Sequence, residues 1–157
     1  MSKFRVVPIP TEIAEKARQT GTSPQYGHPA FTEVAKGYGP CRQCLRTFRT
    51  GQEGRTLFTY NPFEGLDDYP SPGPIFIHER SCESYATEGF PEELRSIPMV
   101  LEAYGEERSL MAQERVRDGQ VEPAIERLLE MNGLRYIHVR NLEAGCYIAR
   151  VEKLSTC

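Results

Sequence analysis

The sequence predicts an α+β fold built on a mainly antiparallel sheet. Three observations carry this. Short apolar runs of strand character outnumber helical stripes. Those runs lie in pairs across Gly, Pro and Asn turn signals, as hairpins do. Only Val121–Met131 repeats its apolar residues with a sustained helical period. The 157 residues fit a single domain, 1–157, with one long helix and two or three short ones.

Taken in order, Phe4–Ile9 alternates weakly and stops at Pro10, the pattern of a short strand. Thr11 suits an N-cap for a polar helix to about Gln19. Residues 20–39 are rich in Gly, Pro, Ser and Thr and read as loop. Cys41, Cys44, Leu45 and Phe48 then fall at i, i+3, i+4 and i+7, which predicts a short helix from Pro40 to about Gly51. Arg42, Arg46 and Arg49 would lie on its neighbouring stripe, with Arg55 beyond. Arg55–Tyr60 is a strand ended by Asn61-Pro62-Phe63, and Asp67, Asp68, Pro70, Pro72 and Pro74 mark a stiff loop. Ile75–His78 is a second strand, with Ile75 and Ile77 on one face and Phe76 and His78 on the other.

Pro91 opens a single helical turn. Met99–Tyr104 and Leu110–Arg117 form a hairpin around Gly105-Glu106-Glu107. Val121, Ala124, Ile125, Leu128 and Leu129 share the stripe of the clearest helix, which Asn132-Gly133 ends. Arg135–Asn141 and Cys146–Leu154 are the last strands, joined through Gly145.

Composition narrows the function classes. A formal charge of −3 argues against a global pull toward nucleic acid or an anionic membrane. No apolar run approaches the length of a membrane span, and no apolar segment follows Met1–Arg5 to make a signal peptide. A cytoplasmic protein of bacterial type is the expectation. Five cysteines, an odd number, favour free thiols, a metal or a redox pair over a disulfide framework. Cys157, the last residue, is expected to take no part.

The chemistry-bearing residues begin with Cys41 and Cys44. At the first turn of a helix, and beside Arg42 and Arg46, Cys41 would be drawn toward thiolate, the form that attacks and the form that ligates. The plainer reading is two small buried side chains beside Leu45 and Phe48. His78 and Cys82 would complete a three-cysteine, one-histidine set of the kind that holds zinc, although 33 residues between the halves match no zinc-finger spacing. His138 and Arg140 share a strand face, opposite Ile137 and Val139. That face would be solvent, a pocket or an ion-paired interior, with Arg140 available to an anion or paired with Asp67, Asp68 or Glu143. His138 or Cys146 could replace one of the four metal ligands.

Pro40-Cys41-Arg42 with Cys44-Leu45, Pro62-Phe63, Gly73-Pro74-Ile75-Phe76 with His78, Cys82, and His138-Val139-Arg140-Asn141 with Gly145-Cys146 together resemble a bacterial family of about this length. That family is catalogued as a domain of unknown function. The resemblance implies a small single-domain bacterial protein and supplies no activity, substrate or cofactor.

Three functions follow as expectations. The first is a metal protein, with zinc on Cys41, Cys44, His78 and Cys82. The second is a thiol redox enzyme with Cys41 as nucleophile, Cys44 as resolving thiol and His78 or His138 as base. The third is a module that holds a small anion through Arg140, His138 and the arginine stripe. Whether the chain is an enzyme stays open; the catalytic candidates are Cys41, Cys44, His138 and Arg140. A homodimer is the expected assembly.

Overall fold

A computed structural model describes residues 3–37, 39–63 and 73–154. These fall into two compact units, one made of residues 1–7 with 85–157 and the other of residues 8–84. Every strand pairing among the described residues is antiparallel.

In the first unit, β1 (Phe4–Val7), β5 (Met99–Tyr104), β6 (Leu110–Val116), β7 (Tyr136–Asn141) and β8 (Tyr147–Lys153) form one sheet in the order β1-β8-β7-β5-β6. Met99, Leu101 and Ala103 alternate inward along β5. On β7, Ile137, His138 and Val139 are all buried, so the central strand is covered on both faces. The β5–β6 hairpin reverses at Glu107 and Arg108, both at positive φ. The helix α2 (Val121–Leu129) buries the apolar stripe that its period predicts and leans on β6. A 3-10 turn at Glu92–Ser96 follows Pro91 as expected.

In the second unit, β2 (Phe31–Val34), β3 (Gly54–Tyr60) and β4 (Gly73–His78) form a three-stranded sheet with β3 central. Thr56, Phe58 and Tyr60 of β3 and Ile75 and Ile77 of β4 supply its buried face. The helix α1 (Thr11–Thr20) buries Ala14 and Ala17, whose small side chains permit a close approach.

Four expectations are corrected. Cys41–Phe48 is a tight hairpin turn with no helix in it. The two α-helices among the described residues have similar lengths, so neither is the one long helix expected. Thr11 is the first helical residue, Pro10 is the cap, and the Thr11 hydroxyl bonds Ser84 instead of a helix amide. The stretch read as loop from residue 20 to 39 contains β2, whose Phe31 and Val34 are exposed; pairing with β3 holds this edge strand without an apolar face of its own. Pro74 lies within β4, whereas Asp67, Asp68, Pro70, Pro72 and Cys157 fall outside the described residues.

Candidate metal centre

The turn at Cys41 starts as a helix would and then departs. The Leu45 amide donates to the Cys41 carbonyl at 2.8 Å, a helical i to i−4 bond. Leu45 then takes φ of +60°, and the chain doubles back so that the Cys41 amide donates to the Arg46 carbonyl at 2.9 Å. An antiparallel bridge between Pro40 and Thr47 closes the hairpin. The reversal frees the Cys44 amide to donate to the Cys41 sulfur, and the Arg46 amide to the Cys44 sulfur. The Arg42 amide donates to the Phe76 carbonyl at 3.1 Å, which seats the turn against β4 two residues before His78.

A left-handed leucine costs roughly 1–2 kcal/mol of backbone energy. Leu45 is fully buried, and truncating such a side chain costs about 2–5 kcal/mol. Burial therefore wins over strain. Leu45→Gly is expected to lose about 2 kcal/mol of stability, read as a lower urea midpoint, while metal content stays unchanged.

His78 closes β4, and Cys82 follows in an irregular segment. The side-chain donor atoms of Cys41, Cys44, His78 and Cys82 all lie within 4.8 Å of one another. The Cys41 and Cys82 sulfurs are 3.8 Å apart, and the Cys44 sulfur is 3.4 Å from His78 Nδ1. The His78 amide also donates to the Cys41 sulfur at 3.3 Å. Cys41 and Cys44 are buried, whereas His78 and Cys82 are part-exposed. All four lie in the 8–84 unit.

Outside the cluster, His78 Nε2 lies 3.2 Å from Glu53 Oε2, an ion-pair approach without hydrogen-bond alignment. The His78 ring meets Phe48 edge to face at 4.8 Å. Carboxylate on one ring nitrogen and a soft-donor cluster on the other is the arrangement that orients a ligating imidazole.

Electrostatics favour the ionised form of one sulfur, that of Cys41. Burial works against the Cys41 thiolate, but hydrogen bonds from Cys44, Cys82 and His78 outweigh it and hold the thiol far below its ordinary value. The same sharing pushes Cys44 up, chiefly through Cys41. The Cys41 sulfur in turn raises His78 to about 10. The direction expected for Cys41 holds, with a different cause: amide and side-chain donors to sulfur take the place of a helix terminus.

Residues 38–153 match the family described as "Protein of unknown function (DUF1203)". The chain belongs to the DUF1203 family. No curated protein and no solved structure matches it. The DUF1203 span takes in all four cluster residues, and α1 precedes it.

The other candidate residues of this DUF1203 chain are not members of the cluster. His138, Arg140 and Cys146 belong to the unit containing residues 85–157 and are not members of the four-residue set. His138 is 1% exposed and touches the rings of Tyr104, Tyr136 and Tyr147 at 5.1, 5.0 and 4.9 Å. The face it shares with Arg140 is thus interior, aromatic around His138 and ion-paired at Arg140. Arg140 pairs with Glu102 at 2.6 Å and donates to the Gly145 carbonyl, whereas two of the acids expected for it, Asp67 and Asp68, lie outside the described residues. The arginine stripe is dispersed: Arg42 is buried and caps the Pro40 carbonyl, and Arg55 pairs with Glu33 while stacking over Phe76. No described helix is long and apolar enough to cross a membrane.

Sequence reasoning missed Arg18. Its Nη2 donates to the Cys82 sulfur at 3.7 Å and to Gln43 Oε1 at 2.7 Å. The signal was present as a stripe: Thr11, Glu15 and Arg18 fall at i, i+4 and i+7 on a helix whose other face is alanine.

Proposed function

We propose that this DUF1203 protein is a metal-binding protein whose Cys41, Cys44, His78 and Cys82 hold one zinc ion in a closed, structural site. One observation carries the reading: four soft donors from three separate stretches of chain converge within 4.8 Å. The dimensions support it further. Zinc with sulfur at about 2.3 Å and nitrogen at about 2.0 Å has tetrahedral edges of about 3.8 Å between sulfurs and about 3.5 Å from sulfur to nitrogen. The cluster has 3.8 Å and 3.4 Å for two of those edges. Thiolate with imidazole is a donor set that selects zinc over the hard cations. Four protein ligands leave no position for a reactive water, which makes the ion a brace for the fold.

The redox reading draws on the same Cys41 and Cys44. A third sulfur and an oriented imidazole beside them favour ligation, because a two-thiol redox couple needs neither. The anion-binding reading has less to stand on, since Arg140 and Arg55 already hold carboxylates.

Protein purified without an affinity tag is expected to carry about one zinc per chain by elemental analysis. Less than about a tenth of an equivalent of any transition metal, after reconstitution with zinc, would refute the reading.

A further inference from the structure

The polar stripe of α1 points at the segment that carries Cys82. The Thr11 hydroxyl lies 2.6 Å from the Ser84 hydroxyl, and the Ser81 hydroxyl donates to both Glu15 carboxylate oxygens at 3.3 and 3.4 Å. Arg18, one turn on, reaches further. Its Nη1 donates to Glu15 at 2.8 Å, its Nε to the His78 carbonyl at 3.0 Å, and its Nη2 to Gln43 Oε1 and the Cys82 sulfur. Gln43 sits between Cys41 and Cys44, and its amide nitrogen donates to Ser84 at 3.2 Å. One guanidinium therefore touches each of the three stretches that supply the cluster: the hairpin turn, the end of β4, and the segment holding Cys82.

The Arg18 side chain is only 9% exposed. A cation so placed needs compensating charge beyond one part-exposed carboxylate. Three thiolates around a dication leave an excess of negative charge, which a neighbouring cation offsets. The two needs answer each other.

Resting on the metal reading above, we infer that Arg18 is the positioning residue of the metal centre. It hydrogen-bonds the Cys82 sulfur, offsets the charge of the thiolate set, and ties the three ligand-bearing stretches together. Lysine would keep the charge but lacks the planar fork that reaches several separate acceptors.

The test uses the full chain loaded with zinc or with Co2+, in wild type, Arg18→Met and Arg18→Lys forms. Arg18→Met is expected to bind zinc about 10- to 100-fold more weakly in competition with a chelator. Its thiolate-to-cobalt absorption band should be displaced, because the Cys82 sulfur loses a donor. Arg18→Lys should move the band back toward wild type while its affinity stays at least about threefold below it. A band and an affinity unchanged in Arg18→Met overturn the inference. If Arg18→Met does not fold, Arg18→Lys decides alone, and wild-type affinity in it overturns the inference. A wild-type chain that takes up no Co2+ removes the metal centre itself, and the role of Arg18 with it.

Discussion

Cys41→Ser is expected to abolish zinc retention and to unfold the 8–84 unit in the full-length chain. Cys41 is fully buried, and its sulfur receives the Cys44 and His78 amides while lying 3.8 Å from Cys82. Apparent binding energies of structural zinc run to about 10–16 kcal/mol, whereas a whole domain is stable by about 5–15 kcal/mol. An ion of that worth is not marginal to a three-stranded sheet. Serine removes the soft ligand but preserves size, so the effect reports ligation more than packing. Without the metal, one buried thiol, one part-exposed thiol and a part-buried imidazole remain in one site with no common partner. Elemental analysis and near-ultraviolet circular dichroism read the outcome. Cys146→Ser, in the other unit, is the control and should leave both signals at wild type. A Cys41→Ser chain that keeps its zinc and its unfolding midpoint would remove the structural role. Chelation of the wild type should reproduce the loss, and zinc should reverse it.

The four metal candidates were legible in the sequence because soft donors are scarce in a chain of this composition. Cys41 and Cys44 stand with two residues between them, and His78 sits where a β-strand ends. The turn around them was not legible. Over eight residues, a helix and a doubled-back hairpin can carry the same i, i+3, i+4, i+7 spacing, and only the left-handed Leu45 separates them. Leucine is a poor signal for that conformation; glycine would have given it away. The edge strand β2 was missed for a related reason: its ladder with β3 is a non-local pairing, and its own side chains carry little period. Arg18 was invisible because a polar helix face reads as solvated until something polar and buried is brought against it. The hairpin β5–β6 and the helix α2 came through cleanly, since turn signal and apolar period agreed in each.

His138 carries the second large expectation, in the acid stability of the other unit. Sequence reasoning placed it with Arg140 on a face that would be solvent, a pocket or an ion-paired interior. Tyr136 from its own strand, Tyr104 from β5 and Tyr147 from β8 enclose it. Burial lowers it to about 3, and the nearby Arg140 and Arg150 add to the effect. An unfolded histidine titrates near 6.5. Between those two values the unfolded chain binds a proton that the folded chain refuses. Stability is therefore complete above about pH 6.5 and is lost as pH falls toward 3. The loss amounts to about 2 kcal/mol by pH 5 and about 3 kcal/mol by pH 4. His138→Phe keeps an aromatic ring among the three tyrosines and has no proton to bind. Its stability should fall less between pH 7 and pH 5 than that of wild type, by about 2 kcal/mol, in urea unfolding followed by far-ultraviolet circular dichroism. Comparing the two chains at each pH cancels any acid release of zinc, which both would share. The carboxylates Glu33, Glu53 and Glu122, held low by their cationic partners or by amide donors, also lose stability in acid, but chiefly below about pH 4.5, so the window above it isolates the histidine. Equal acid slopes in the two chains would mean that the folded state accepts the proton, and the enclosure by tyrosine would then have no consequence for pH.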